Sequence, residues 1–390
     1  MDTYTLEPFG SEAIARQERW LEKGPFALRL YTVGPEQIAD VTCRLKARSE
    51  RAHARPLVQN IEALHQVGTL WSNPTYPLRQ EAMKVLPSLT NLSPETVEHV
   101  LDELGGLLRR ETLVEWIERE LSDFEILESW VDSDGFLMHR QPRGLVFHNL
   151  SGNAFLLPAL CIIFGLLTKN TTILKLPTAE PYFGIRFAES LRDVDPEVAA
   201  DVAVLYWSAR DEACYETLFR QGLGAAVAWG DLRTVEAVSA YAGKYRTRFI
   251  DHGARFGIAV IDRITRQELP QVVRALAEDI VPWEDYACIA PPLVFVVDGE
   301  VTALEFAEAL LSAMETLCAE SGAKPSSERA ATIVANRQYY FFHLEAEGRG
   351  RVLAPATTRS TVIYSEAMPT RKDFQLCSGR FVMVCQAPGL

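Results

Sequence analysis

Cysteine is scarce and scattered in this chain of 390 residues. Seven thiols, at positions 43, 161, 214, 288, 318, 377 and 385, form an odd set with no CxxC pair. That pattern argues against a disulfide framework and a zinc cluster, and leaves room for one reactive thiol. Long hydrophobic runs are missing too. The longest apolar stretch, Ala154 to Leu167, contains a proline and a glycine and is shorter than the about 20 residues that a membrane-spanning helix needs, so it reads as a buried element. Basic charge is in deficit, with 39 Lys and Arg against 52 Asp and Glu and a net charge of −13. Such a surface repels a phosphate backbone, and nucleic acid is not expected as a partner. The opening MDTYTLEPFGSEAIARQERW has no basic segment followed by an apolar one, so no secretory signal is expected and the cytoplasm is the default location. No internal repeat or low-complexity segment stands out.

What is present is an ordinary globular composition, 48% hydrophobic and 23% charged, in a chain long enough for two or three domains at about 150 residues each. From Ile38 to Leu121 the segments are rich in Glu, Arg, Leu and Ala at helical spacing. In SPETVEHVLDELGGLLRRETLVEWIERELSDF, Ser93 with Glu95 or Glu98 suits a helix start. Residues 1–140 therefore read as a helical N-terminal region. After Pro142 the texture changes: GLVFHNL, TTILKLP, VAVLYW, GAAVAWG, RFIDHG and FGIAVID are short strand-like runs separated by helical segments. This βαβ alternation predicts a doubly wound α/β domain over 141–262. A second α/β unit is expected over 263–375, followed by a C-terminal strand at 376–390, where GRFVMVCQ is a candidate sheet edge or arm for assembly into a homo-oligomer. EAEGRGRVLAPATTRS, near residues 344–360, reads as an exposed loop.

Several residues in this frame could carry chemistry. Cys288 stands in WEDYACIAPP, between a predicted helix and an apolar strand; taken alone, a Cys beside Ala and Ile is more often an inert core residue than a nucleophile. Three other segments bear on it. GLVFHNLSGNAFLLPALCIIFGLLTKNTTILKLP runs strand, Gly/Asn turn, helix, Lys-Asn turn and strand, ending in Lys175 and Pro177. GAAVAWGDLRTVEAV puts Gly230 between a strand and a helix whose first N–H groups suit a phosphate. FIDHGARFGIAVI carries Asp251, His252 and Gly253 ahead of Cys288.

This order resembles the aldehyde dehydrogenase superfamily, and within it the acyl-CoA reductases of the LuxC type, over roughly residues 140–300. The resemblance rests on Gly152, Asn153, Leu166 to Asn170, Lys175 and the Ala-Cys pair at Cys288 followed by proline. It implies an aldehyde dehydrogenase-like fold and a reaction in which the Cys288 thiolate attacks a thioester carbonyl, coenzyme A or an acyl carrier leaves, and the acyl-enzyme accepts hydride to give an aldehyde. An acyl-transferring partner protein is compatible with that chemistry. The oxyanion donors would be Asn153 and the Cys288 amide. Asn149 lies in the same turn and is the rival; Asn153 is preferred, although an Asn in a Gly-Asn turn also has a purely conformational explanation. Lys175 would hold the adenosine ribose or its 2′-phosphate. Thr178, three residues on, lacks the carboxylate usual in enzymes that prefer NAD, which favours NADPH while leaving NADH open. No metal is implied.

Asp251 stands where hydrolytic members keep the Glu of ELGGK. It is one methylene shorter and sits beside His252, so activation of water to cleave the acyl-enzyme is in doubt. His252 is a candidate general acid for the leaving thiolate or a group that lowers the cysteine pKa, with a backbone-bonded strand-end His as the alternative. Trp283, Tyr286 and YYFFHLEAE are candidates for an acyl channel, or simply core. Two other functions stay open: acyl transfer or thioester hydrolysis through Cys288 without redox chemistry, and a non-catalytic assembly subunit. A non-acylating aldehyde dehydrogenase is a further variant of the redox reading.

Overall fold

A computed structural model describes residues 2–10, 17–23, 25–133, 135–253, 255–282, 290–297, 299–320, 327–377 and 380–387. The chain divides into two compact units, Met1–Asn91 with Val97–Ala254, and Leu92–Thr96 with Arg255–Leu390. Each has its own sheet and its own core.

The first unit opens with three strands, β1 (Asp2–Leu6), β2 (Gln17–Lys23) and β3 (Phe26–Thr32), in the order β1-β3-β2. Helices follow: α1 (Pro35–Ala54), α2 (Leu57–Ser72), α3 (Pro77–Thr90), α4 (Pro94–Leu107) and α5 (Arg110–Leu121). Ser93 Oγ accepts the Thr96 N–H at the start of α4, as its sequence suggests. A two-stranded hairpin, β4 (Val131–Ser133) and β5 (Phe136–Met138), completes this part. Residues 1–140 are thus not helical throughout. Polar strands such as QERWLEK bury little and leave no apolar run to read.

Nor does this part stand apart from the α/β unit. α1 contributes Ile38, Val41 and Leu45 to the core of the main sheet. Its Arg48 and the following Arg55 both bond the buried Asp201, Arg48 at 2.8 Å.

The main sheet comprises β6 (Leu145–Asn149), β7 (Thr171–Lys175), β8 (Val202–Leu205), β9 (Ala225–Trp229) and β10 (Phe249–His252), all parallel, in the order β10-β9-β6-β7-β8. Its crossovers are α6 (Leu157–Leu167), α7 (Phe183–Val194) with the short α8 (Pro196–Ala199), α9 (Glu212–Arg220) and α10 (Leu232–Lys244). α1, α9 and α10 cover one face. On the other, Gly165 of α6 lies against Thr172, the neighbour of inward-facing Ile173. Every residue of β6, β7 and β8 is buried, and their sequences are accordingly short runs rich in aliphatic, β-branched and aromatic residues. The strand order reverses between β6 and β9, and a crevice for a ligand forms at such a point beyond the carboxyl ends of the strands.

The second unit has strands β11 (Ile258–Asp262), β12 (Leu293–Val297), β13 (Gly350–Leu353), β14 (Thr361–Ser365) and β15 (Phe381–Ala387), with helices α11 (Leu269–Ile280), α12 (Ala303–Glu320), α13 (Ser327–Tyr340) and α14 (Asp373–Leu376). Its order is β11-β12-β15-β14-β13. β11, assigned from sequence to the cofactor domain, instead pairs with β12 in this second sheet. β15 is no free arm: it lies between β12 and β14, paired to both, with Phe381 to Cys385 buried. The stretch read as a loop contains β13, and Phe341–Glu345 forms one π-helical turn. In YYFFHLEAE, Tyr340 is core, whereas Phe341 and Phe342 are exposed and give no sign of a channel wall.

Candidate active site

Asn149, Lys175, Gly230 and His252 all stand at the carboxyl end of the main sheet, either ending a strand or directly following one. Four of the five parallel strands, β6, β7, β9 and β10, lead into the turns that the sequence marks as chemical, so the topology gathers residues that are far apart in the chain.

The two asparagines have different settings. Asn149 ends β6 and is buried, its amide oxygen accepting the Tyr215 hydroxyl of α9 at 2.8 Å. Asn153 lies in the turn beyond, exposed, and its Oδ1 accepts the Ser151 hydroxyl at 2.6 Å, which orients the amide. Gly152 is needed between them. A Cβ there would stand 2.7 Å from Cβ of Ala179, because the turn presses against the segment after β7.

Lys175 closes β7 with its ammonium inside the protein. Nζ reaches the Leu176 carbonyl at 3.4 Å and lies 5.8 Å from the centre of the Trp207 ring. Burial alone holds its pKa down at about 8. Thr178 is exposed, its Oγ1 3.0 Å from the Tyr206 hydroxyl. Two residues further on, Glu180 is buried and accepts the N–H groups of Tyr182 and Phe183 at 2.9 and 2.8 Å. Its Oε2 has no partner among the described residues, and burial raises its pKa to about 7.

Gly230 has φ +145°, a conformation that side chains disfavour, at the turn from β9 into α10. The start of α10 is less open to phosphate than the sequence suggests. Asp231 caps it, accepting the Thr234 N–H at 2.8 Å and placing a negative charge there.

At the edge of the sheet Asp251 folds back to accept the Gly253 N–H, and His252 stacks on Trp229. His148 of β6 is buried nearby. Its Nδ1 lacks a partner among the described residues, and burial with the neighbouring His252 pushes its pKa down to about 3.

Cys288, with Trp283 and Tyr286, lies outside the described residues. The buried thiols that are described are poor nucleophiles: burial raises the pKa of Cys161 and Cys214, and takes Cys318, Cys377 and Cys385 to about 12. Among the described residues no group of three His, Cys, Asp or Glu is arranged to hold a metal, and no helix is long and apolar enough to cross a membrane. Sequence reasoning missed Tyr215, Glu180, Tyr206 and Trp207. The last two had a signal in the aromatic pair that follows VAVL, at the end of a predicted strand.

The two sheets and this strand-end site define an aldehyde dehydrogenase fold. Lactaldehyde dehydrogenase superposes with a TM-score of 0.68 at 14% identity, over 99% of this chain and 82% of that one. A salicylaldehyde dehydrogenase from Pseudomonas putida G7 gives 0.73 at 12% identity, over 100% and 81%. An NADP-dependent glyceraldehyde-3-phosphate dehydrogenase from Bacillus halodurans C-125, complexed with NADP, gives 0.64 at 16%, over 98% and 82%.

Within that fold the chain belongs to the acyl-CoA reductase (LuxC) family, whose model matches residues 52–390. Related sequences include long-chain acyl-protein thioester reductase 2 of Photobacterium leiognathi, 23% identical over 73% of this chain and 59% of that protein. The long-chain acyl-protein thioester reductases of Photorhabdus laumondii and Vibrio harveyi are 24% and 26% identical, over 74% and 60% of this chain and 60% and 49% of theirs. The matches thus span about half to three-fifths of the length of these relatives.

Proposed function

We propose that this protein reduces an acyl thioester, on coenzyme A or on an acyl-carrying protein, to an aldehyde through an acyl-enzyme on Cys288, with NADPH as reductant. The observation that carries the reading is Lys175: a buried ammonium at a strand end beside the switch point of a doubly wound sheet, with desolvation as the sole cause of its lowered pKa. Such a charge is costly unless an anion meets it, and the phosphate or ribose oxygens of a dinucleotide suit it. Trp207 walls that position, and Gly230 allows close backbone approach. Bound there, the cofactor supplies hydride.

The chain's own groups account for the rest. Cys288 attacks the thioester carbonyl, and the amide of Asn153, oriented by Ser151, donates to the oxyanion together with the Cys288 N–H. Asn153 is favoured over Asn149 because it stands exposed in the turn beyond β6, whereas Asn149 is buried within the strand end. His252 protonates the leaving thiolate. Asp251, turned back onto its own loop by its bond to Gly253, is poorly set to deliver hydroxide, which protects the acyl-enzyme from hydrolysis. The relatives named as long-chain acyl-protein thioester reductases support a long-chain acyl-protein substrate. An acyl-transferring partner and assembly into a homo-oligomer are further parts of the proposal.

The test is purified protein with NADPH and acyl-CoAs of increasing chain length, followed at the nicotinamide absorbance, beside covalent labelling by radioactive acyl-CoA. Acyl-dependent NADPH oxidation is expected, with labelling abolished in Cys288→Ala and retained in Cys161→Ala. Labelling that survives without Cys288 would sink the acyl-enzyme assignment. Labelling without NADPH oxidation would indicate acyl transfer or thioester hydrolysis in place of reduction.

A further inference from the structure

We propose that Arg19, carried in on β2, reads the 2′-phosphate of the bound dinucleotide, with the Tyr206 hydroxyl holding its guanidinium beside Thr178. The inference deepens the NADPH reading and rests on it. Arg19 precedes residue 52, where the match to the family begins, so the family pattern assigns it no role.

The route by which it arrives is structural. Arg19 pairs in register with Leu30 of β3, which is buried. Just past β3, the Val33 N–H donates to the Tyr206 carbonyl at 3.0 Å, so the small sheet is hydrogen-bonded to the chain leaving β8. Arg19 thereby reaches the carboxyl end of the main sheet. Its NH1 donates to Tyr206 Oη at 2.6 Å, and its guanidinium carbon lies 5.7 Å from the centre of that ring. Tyr206 Oη is in turn 3.0 Å from Thr178 Oγ1.

Charge makes this more than a packing contact. The side-chain hydrogen bond of Arg19 goes to a neutral hydroxyl, whereas Arg29 on the adjacent strand is paired with Glu18. Arg19 has no carboxylate within ion-pair distance among the described residues. Three residues before Thr178 stands Lys175, buried and likewise without one. Two cations without carboxylate partners and two hydroxyls thus border the same strand ends, β7 and β8. A phosphate monoester has the dianionic charge and the acceptor oxygens to satisfy that set, and a guanidinium is the side chain best shaped to grip it. A bare ribose hydroxyl brings no charge. Adenosine phosphates offer such a group from two sources, the 2′-phosphate of NADPH and the 3′-phosphate of coenzyme A, and the position beside Thr178 assigns it to the former.

The experiment is calorimetric titration of the full chain and of Arg19→Gln, Arg19→Lys and Tyr206→Phe with adenosine 2′,5′-bisphosphate, adenosine 3′,5′-bisphosphate, 5′-AMP, NADPH and NADH. Wild-type protein should bind the 2′,5′ compound about tenfold or more tightly than 5′-AMP, the scale of one charge-assisted bond. Arg19→Gln should lose most of that ratio with 5′-AMP unchanged, and Arg19→Lys and Tyr206→Phe should fall between. An unchanged ratio in Arg19→Gln, or equal weakening of all ligands, overturns the assignment, as does tighter binding of the 3′,5′ compound that depends on Arg19. NADPH preference that persists in Arg19→Gln removes Arg19 alone. Wild-type protein that binds no nicotinamide dinucleotide removes the reading on which the inference rests.

Discussion

The imidazole of His252 lies flat on the indole of Trp229, with ring centres 3.9 Å apart and planes within 6° of each other. The two residues are paired in register across β10 and β9, so the stack follows from strand pairing and holds the imidazole at a sheet edge. Phenylalanine at 252 should keep the stack and lose the proton. His252→Phe is therefore expected to retain its melting temperature and NADPH affinity while releasing coenzyme A roughly 100-fold more slowly, the scale of general acid catalysis. Stopped-flow detection of free thiol measures this. A release rate equal to wild type would leave His252 with a packing role only.

Lys175 sets stability against binding. Its folded pKa of about 8 lies below the ordinary 10.5, so the unfolded chain binds the proton more tightly than the folded one, and the cost of the buried charge is fully present below pH 8. Lys175→Met keeps most of the unbranched side chain, one atom shorter, and removes the charge. At pH 7 the variant should be about 1–3 kcal/mol more stable in urea than wild type, with the gain fading as pH rises from 8 towards 10.5. It should also bind NADPH more weakly. A variant less stable than wild type at pH 7 would mean that an anion or a hydrogen bond already compensates the ammonium in the free protein.

The main sheet was readable because strands buried on both faces are short runs rich in aliphatic, β-branched and aromatic residues. LVFHN and TTILK are such runs, set off by Gly- and Asn-rich turns. The same logic should have placed FVMVC in a sheet interior, and its position at the chain end misdirected the reading toward an edge. β2 was hidden for the opposite reason: QERWLEK packs through Leu21 and little else, so its alternation is masked by charge. At the site, Asn153, Lys175 and His252 were singled out through the family resemblance, and the fold puts Lys175 and His252 at strand ends with Asn153 in the turn after β6. Burial was not legible. Nothing in KLPTAEPYF distinguishes a solvated glutamate from one sealed under a helix start, and no local pattern tells that Arg19 will meet a tyrosine 187 positions away.

Glu180 turns that hidden burial into a measurable pH effect. Its carboxyl accepts two backbone N–H groups at the start of α7, yet desolvation outweighs them and lifts the pKa to about 7. The folded state thus holds a proton that the unfolded chain, with a pKa near 4.5, has already lost. Stability from this group is complete below pH 4.5, falls as pH rises from 4.5 to 7 and is lost above that. Glu180→Gln keeps an oxygen for the two N–H groups and cannot ionise. Urea midpoints of the two proteins should therefore lie close together below pH 5, separate as pH rises from 5 to 7 and stay apart above it, with wild type less stable by about 1–3 kcal/mol at pH 8. Midpoints that stay parallel from pH 5 to pH 8 would mean that Glu180 titrates as an ordinary carboxylate, ionised in the fold and compensated there. In that case its two N–H partners, and not burial, would dominate at the turn that presses against Gly152.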